Sequence, residues 1–183
     1  MMLSFFPVAL TFLLFIYEFR NYRLIKKARF LYEKDNVKYY QIESNEDNAI
    51  TIKSIVFGKN VIIIGKEDFK ILAHEEGHLH QPYFIYYFLV ISALAISYNI
   101  LTIPFLLIIY KAMFLHYERD ADLYAYYNFN VKYSSDQQRP KSKIDRIKAW
   151  VFDTHPPDYI RTKEEYYEKK NSLIKLFLED LLS

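Results

Sequence analysis

The chain has 183 residues, enough for one ordinary domain, and 19% of them are aromatic whereas only three are Gly. The net charge is +2 and no long basic tract or nucleic-acid module is recognisable, so we exclude DNA and RNA as partners. Cys is absent, which excludes disulfides and thiolate metal sites, so any metal must be held by His and carboxylate.

The first predicted element is an apolar segment. Residues 2–17 carry no charge, no basic region precedes them and no small-residue cleavage site follows, so we predict a retained membrane anchor over residues 1–20. The basic residues that follow place the rest of the chain in the cytoplasm by the positive-inside rule. A buried core helix is the alternative, because the run is short and Pro7 interrupts it.

Residues 49–64 are rich in β-branched side chains, which predicts strands. Gly58-Lys59-Asn60 separates two apolar runs and predicts the turn of a small β-hairpin. An exposed strand edge could hold an extended peptide by main-chain hydrogen bonds. A hairpin that only covers the next helix is equally compatible with the sequence.

His74-Glu75-Glu76-Gly77-His78 forms an HExxH motif in a segment with helical character that begins near Asp68. Positions i and i+4 lie on one helix face, so both imidazoles can reach one metal ion with Glu75 beside them. The spacing therefore predicts a zinc site in which Glu75 acts as general base. The alternative is a surface helix with two solvated histidines around an acidic turn.

A second uncharged run covers residues 83–110 and is broken by Tyr98-Asn99 and Pro104. We predict a hydrophobic helical hairpin over residues 83–115, whose arms either span a bilayer or enter one leaflet. Arms of similar length would return the chain beside His78. Together the two runs predict a mainly α membrane protein with a small β-hairpin, in which residues 21–183 form the metalloprotease domain.

The returning segment carries Glu118 and, one helical turn later, Asp122. A carboxylate delivered beside an HExxH helix is the usual third ligand of a two-His, one-Glu zinc site, and we assign that role to Glu118. Asp122 is suited to orient a zinc-bound histidine by accepting its other ring proton. A solvated acidic turn is the alternative.

Three motifs occur in one order: His74-Glu75-x-x-His78, then Glu118-x-x-x-Asp122, then His155-Pro156 with Arg161 six residues after the histidine. They resemble the HtpX-type membrane zinc metalloproteases and the related CAAX prenyl proteases, over roughly residues 45–165. Two features depart from that pattern. Glu76 stands where the family has an apolar residue, and the 39 residues between His78 and Glu118 are fewer than usual, which favours a minimal, more open form.

The resemblance implies a helical, zincin-like (gluzincin-like) catalytic core with the hydrophobic hairpin between the HExxH helix and the third-ligand helix. It implies that His74, His78 and Glu118 bind zinc, that Glu75 is the general base and that Asp122 supports the ligands. It also implies that His155 stabilises the transition state and that Arg161 pairs with a carboxylate.

The expected function is a membrane-embedded zinc metalloendopeptidase, in which zinc activates a water molecule and Glu75 takes its proton. The expected partners are a peptide or membrane-protein substrate and the lipid bilayer, with the catalytic site on the cytoplasmic side. Two alternatives stay open: a non-catalytic, zinc-stabilised membrane interaction protein, and an antirepressor-type sensor metalloprotease. The sequence determines neither the substrate nor the oligomeric state.

Overall fold

A computed structural model describes residues 5–183; the first four residues of the predicted anchor lie outside the described part. A short 3₁₀ turn, Ile100–Thr102, joins the third and fourth helices. The elements in chain order are α1 (Phe6–Lys27), β1 (Arg29–Lys34), β2 (Val37–Ile42), β3 (Asn48–Ser54), β4 (Gly58–Ile64), α2 (Phe69–His80), α3 (Phe84–Tyr98), α4 (Ile103–Phe129), α5 (Lys143–Phe152), α6 (Asp158–Arg161), α7 (Glu164–Tyr167) and α8 (Leu173–Leu182).

The four strands form one mixed sheet in the order β1-β2-β4-β3. The β1–β2 and β3–β4 pairs are antiparallel, whereas β2 and β4 are parallel. Strand β4 is central and carries an unbroken apolar run, Val61–Ile64, most of which is buried, as expected for a strand covered on both faces. Strand β3 is an edge strand that packs against α2.

The prediction of a mainly α membrane protein with only a small β-hairpin is therefore wrong. Residues 29–42 supply two further strands, joined by Asp35 and Asn36 in left-handed backbone conformations (φ 52° and 60°), which suit a tight hairpin turn. The predicted hairpin is present as β3–β4, but residues 55–57 form its turn and Gly58, at φ 75°, begins β4.

Within residues 5–183, no single helix is both long and apolar enough to cross a bilayer. Helices α2 and α3 reach that criterion only as a pair, and they are bent by 55° at the break between them. Helix α1, which covers most of the predicted anchor, packs against α3, with the ring of Tyr17 edge-on to that of Tyr86 at 5.4 Å. The lipid bilayer as a partner and the location of the site stay predictions from sequence.

Helices α2 and α4 pack with their backbones in close contact at Gly77. A Cβ atom at Gly77 would lie 2.7 Å from Ala121 Cα and 2.8 Å from Ala121 O. Gly77 stands within the HExxH motif, and Ala121 stands between Glu118 and Asp122. The absence of a side chain at position 77 thus lets the acidic segment of α4 lie against the motif.

The C-terminal helices are joined through the buried carboxylate of Asp180 on α8. It accepts hydrogen bonds from Trp150 Nε1 (3.1 Å), Tyr159 OH (2.8 Å) and Arg139 Nε (2.8 Å). A buried carboxylate requires such compensation. These bonds fix α5 and α6 relative to α8 and thereby hold the loop between α5 and α6, which contains His155.

We expect Gly77→Ala to lower the free energy of unfolding by about 1–2 kcal/mol, because overpacking against backbone outweighs the better helix propensity of Ala. Urea denaturation measures the change. Lys70→Ala, at an exposed position of the same helix, is the control and should change stability by less than about 0.5 kcal/mol. A Gly77→Ala protein as stable as the wild type would show that the two helices do not touch here.

Candidate metal centre

Helix α2 presents His74 and His78 on one face. It begins after Asp68, whose carboxylate accepts hydrogen bonds from the backbone N–H groups of Lys70 (2.7 Å) and Ile71 (3.2 Å) and so caps the first turn. One helical turn separates the two histidines, and their Nε2 atoms lie 3.1 Å apart. Both imidazoles therefore point at one location.

Helix α4 brings Glu118 to the same location. Its Oε2 atom lies 3.4 Å from His74 Nε2 and 3.5 Å from His78 Nε2. The three candidate ligand atoms all lie within 4.8 Å of one another. Glu118 is only 5% exposed and His78 is also buried. His74, His78 and Glu118 thus form a group that could hold a metal ion.

The state of Glu118 Oε2 shows that this group fits a cation. The atom is buried and completes no hydrogen bond, although His155 Nε2 lies 2.9 Å away and the two motif imidazoles also face it. A buried carboxylate oxygen without a partner is costly, and a divalent cation among these donors would satisfy it. Two imidazole nitrogens with one carboxylate oxygen match the donor set of catalytic zinc sites.

The electrostatics of the group also favour a positive charge. Burial alone would lower the pKa of His74, but its hydrogen bond to Asp122 and the nearby carboxylate of Glu118 raise it to about 10. Burial alone would raise the pKa of Glu118, but the imidazoles of His155, His74 and His78 hold that pKa well below its usual range. The pocket therefore attracts a cation, whether protons on the imidazoles or a metal ion in their place.

Asp122 orients His74. Its Oδ1 accepts a hydrogen bond from His74 Nδ1 at 2.8 Å, which leaves His74 Nε2 directed at the site. Arg161 donates to both carboxylate oxygens (Nε to Oδ2 at 2.9 Å, Nη2 to Oδ1 at 2.8 Å), and Tyr166 OH donates to Oδ2 at 2.8 Å. Burial would raise the pKa of Asp122, but His74 and Arg161 hold it well below its usual range.

Sequence reasoning missed Gln81, which orients His78. Its Oε1 accepts a hydrogen bond from His78 Nδ1 at 2.8 Å, while its Nε2 donates to the carbonyl of Tyr117 at 2.6 Å. Gln81 precedes Pro82, and the helical conformation is sterically disfavoured for a residue that precedes a proline. Gln81 is therefore extended, just after the end of α2. A polar residue between an HExxH helix and a proline was the signal available in the sequence.

Lys53 on β3 was also missed. This buried lysine donates hydrogen bonds from Nζ to the carbonyls of His78 (3.3 Å) and Gln81, and it lies 4.8 Å above the ring of Tyr83. Burial lowers its pKa to about 8. A positive group at the C-terminus of α2 complements the helix dipole and attaches the edge strand to the metal-binding helix.

Glu75 and His155 complete the site. Glu75 is buried, and its carbonyl accepts a hydrogen bond from Thr51 Oγ1 on β3 at 3.0 Å. The His155 ring lies 5.7 Å from that of His74, and its side chain is 39% exposed. The structure brings together all seven site residues predicted from sequence: His74, Glu75, His78, Glu118, Asp122, His155 and Arg161.

Two cavities, of about 340 and 460 Å³, meet at this group. Both are lined by His74, Glu75 and His155, and both reach Asn48 at the start of β3. The smaller cavity continues along β3 as far as Lys53. The two cavities together form a cleft that follows the edge strand and passes the candidate ligands.

Comparison with known proteins provides no family for this chain. No protein-family model matches it, and neither the curated proteins nor the solved structures contain a match. The resemblance drawn from the three motifs therefore stays a prediction, and the function has to be inferred from the geometry of the site.

We expect Glu118→Gln to weaken zinc binding at least about 100-fold, since even the loss of a residue that supports a ligand commonly costs 10–100-fold. Competition with a chromophoric chelator measures the affinity. Asp120→Asn, an exposed position on the same helix, is the control and should bind zinc as the wild type does. Unchanged affinity in Glu118→Gln would exclude Glu118 as a ligand.

Proposed function

We propose that this protein is a zinc-dependent metalloendopeptidase. The observation that carries the proposal is that Glu75, a buried acid, lines both cavities together with a convergent group of two imidazoles and one carboxylate, on a cleft that follows a strand edge. A purely structural zinc site has no use for an additional acid at this position, whereas hydrolysis requires one. The membrane-embedded form expected from sequence is not part of the proposal.

His74, His78 and Glu118 would hold the ion. When bound, zinc supplies Lewis acidity toward water and a peptide carbonyl. Asp122 and Gln81 fix the tautomer and orientation of the two imidazoles, so that both Nε2 atoms remain available as ligands. These contacts preorganise the site before substrate arrives.

Glu75 would act as the proton carrier. Its carboxylate accepts a proton from the attacking water and then delivers that proton to the leaving amine. The hydrogen bond from Thr51 to the Glu75 carbonyl fixes the backbone of this residue against β3. Glu75 therefore stays in place between the two halves of the cleft, which both reach it.

Strand β3 offers main-chain groups to a peptide. In an antiparallel pair, the backbone N–H and C=O groups of alternate residues point away from the partner strand. Lys53 is such a residue on β3, because its carbonyl accepts a hydrogen bond from Tyr17 OH, which lies on the side away from β4 (3.1 Å). By the same alternation Thr51 and Ala49 also face outward, and Ala49 N–H is bonded to Asn48 Oδ1 (2.8 Å). The groups of Thr51 are thus suited to pair with an extended substrate.

We expect Glu75→Gln to reduce peptide hydrolysis about 10²- to 10⁴-fold without loss of zinc, because the amide cannot carry a proton. Cleavage of unfolded protein and bound zinc are measured on one preparation. Glu76→Gln, at the neighbouring and more exposed position, is the control and should keep its activity. Retained hydrolysis in Glu75→Gln would refute the mechanism, and a zinc-loaded wild type inactive on diverse peptides would favour the non-catalytic alternative.

We expect His155→Gln to lower kcat about 10²- to 10³-fold with a much smaller change in KM, because a donor beside the ligand group stabilises charge that develops only in the transition state. Steady-state kinetics of the zinc-loaded protein separate the two constants. His116→Gln, an exposed histidine on α4, is the control. A His155→Gln protein with normal kcat would remove His155 from the catalytic step.

A further inference from the structure

The two halves of the cleft differ in charge. We call the smaller cavity the α1 half, because Tyr17, Arg20 and Asn21 of α1 form one wall of it. Apart from Glu75 and Glu118 at the ligand group, its described lining residues include no acid, whereas Arg20 and Lys53 are cationic. The larger cavity has four Asp residues in its lining, Asp47, Asp68, Asp122 and Asp158, together with Lys70, Lys132 and Arg161, the last of which is paired with Asp122.

Arg20 has its charge available in the α1 half. Within residues 5–183, no carboxylate oxygen lies within 4.0 Å of its guanidinium. The nearest acid in sequence, Glu18, is engaged elsewhere: it accepts hydrogen bonds from Ser54 Oγ (2.5 Å) and from Tyr86 OH. Lys53 is also engaged, since its Nζ donates to two carbonyls. Arg20 is thus the cation that a ligand could use.

Asn21 provides a second, independent observation. It is 1% exposed, it lines the α1 half, and its Nδ2 completes no hydrogen bond. Its nearest polar neighbour is the hydroxyl of Tyr17, which donates to the carbonyl of Lys53 and interacts with the Asn21 amide without completing a hydrogen bond to Nδ2 of ordinary geometry. A buried amide N–H that completes no hydrogen bond is unfavourable, so a bound group that accepts from it would be stabilised there.

We propose that Arg20 and Asn21 form a carboxylate-binding subsite, which makes peptides with an acidic residue on the N-terminal side of the cleaved bond the preferred substrates. The proposal rests on the proposed peptidase function. A planar guanidinium and an amide N–H both donate well to a carboxylate, and the remaining wall is apolar and aromatic, which strengthens such bonds. The aromatic residues of that wall are Tyr83, Phe84, Tyr110, Phe114 and Tyr117.

The direction of the substrate follows from β3. Antiparallel addition to a sheet edge is the more stable arrangement. A peptide antiparallel to β3 has its N-terminal part beside Lys53, and the α1 wall contacts β3 at that residue. An acidic side chain upstream of the cleaved bond therefore reaches Arg20, whereas a C-terminal carboxylate would do so only if the peptide ran parallel to β3.

The experiment measures binding separately from hydrolysis. Matched fluorescent peptide pools with Glu or Gln at a fixed position, all amidated at the C-terminus, are titrated against zinc-loaded Glu75→Gln protein. We expect the Glu pools to bind about three- to tenfold more tightly, as for a partly exposed ion pair assisted by an amide. Arg20→Gln in the same background should abolish the preference, and Asn21→Leu should reduce it.

Arg23→Gln is the matched control, because Arg23 lies on the same helix, is exposed, and does not line the cleft. Equal binding of both pools, no binding of either, or a preference that survives Arg20→Gln would overturn the proposal. The Gln pool is also prepared with a free C-terminal carboxylate, and Arg20-dependent tighter binding of that pool than of its amidated form would overturn the substrate direction.

Cleavage of the same pools by the wild-type protein, read by mass spectrometry, tests the peptidase function itself. Acidic residues should be enriched upstream of the cleaved bonds. Absence of cleavage together with an Arg20-dependent binding preference would refute the proposed function while leaving the subsite in place, so the two failures are distinguishable.

Discussion

The contact between Gly77 on α2 and Ala121 on α4 determines the rest of the site. Two helices can approach this closely only where one lacks a side chain, and a Cβ at Gly77 would meet the backbone of Ala121. Glu118 and Asp122 flank Ala121 along α4, as His74 and His78 flank Gly77 along α2. This one close contact therefore fixes the position of α4 along α2. As a result, Glu118 lies near Nε2 of both imidazoles, while Asp122 accepts a hydrogen bond from Nδ1 of His74.

The two carboxylates on α4 differ in what compensates their charge, and that difference separates their roles. Asp122 accepts from Arg161, Tyr166 and His74, so both of its oxygens are saturated and its charge is balanced by a guanidinium. Glu118 faces only imidazoles, and its Oε2 completes no hydrogen bond. Imidazoles and carboxylates both bind divalent metal ions. Because its neighbours are imidazoles and no cationic side chain balances its charge permanently, Glu118 is the carboxylate on α4 that is available to bind a metal ion.

Local patterns were predictable from the sequence and long-range pairings were not. The HExxH spacing identified His74 and His78 because both lie on one helix, and similar arm lengths brought Glu118 to them. The number of strands was underestimated because β2 pairs with β4 in parallel through a crossover connection, and no local sequence pattern indicates such a pairing. The turn at Asp35-Asn36, however, could have been recognised from the sequence.

Uncharged runs were interpreted as membrane spans, but apolar sequence alone does not distinguish a segment that contacts lipid from one that packs against a neighbouring helix. The position of Gln81 depends on where α2 ends. The contacts of Lys53 depend on which end of α2 lies against β3.

The attachment of α1 to β3 limits how a peptide can use the strand edge. Tyr17 occupies the outward carbonyl of Lys53, and Glu18 accepts from Ser54 and from Tyr86 on α3. Main-chain pairing along β3 is therefore interrupted at Lys53, so an extended peptide must leave the sheet edge there. Beyond that residue the wall that it meets is α1, with Arg20 and Asn21, instead of further backbone. Affinity at this end of the cleft must then come from side chains, which makes the composition of α1, more than that of β3, the determinant of sequence preference.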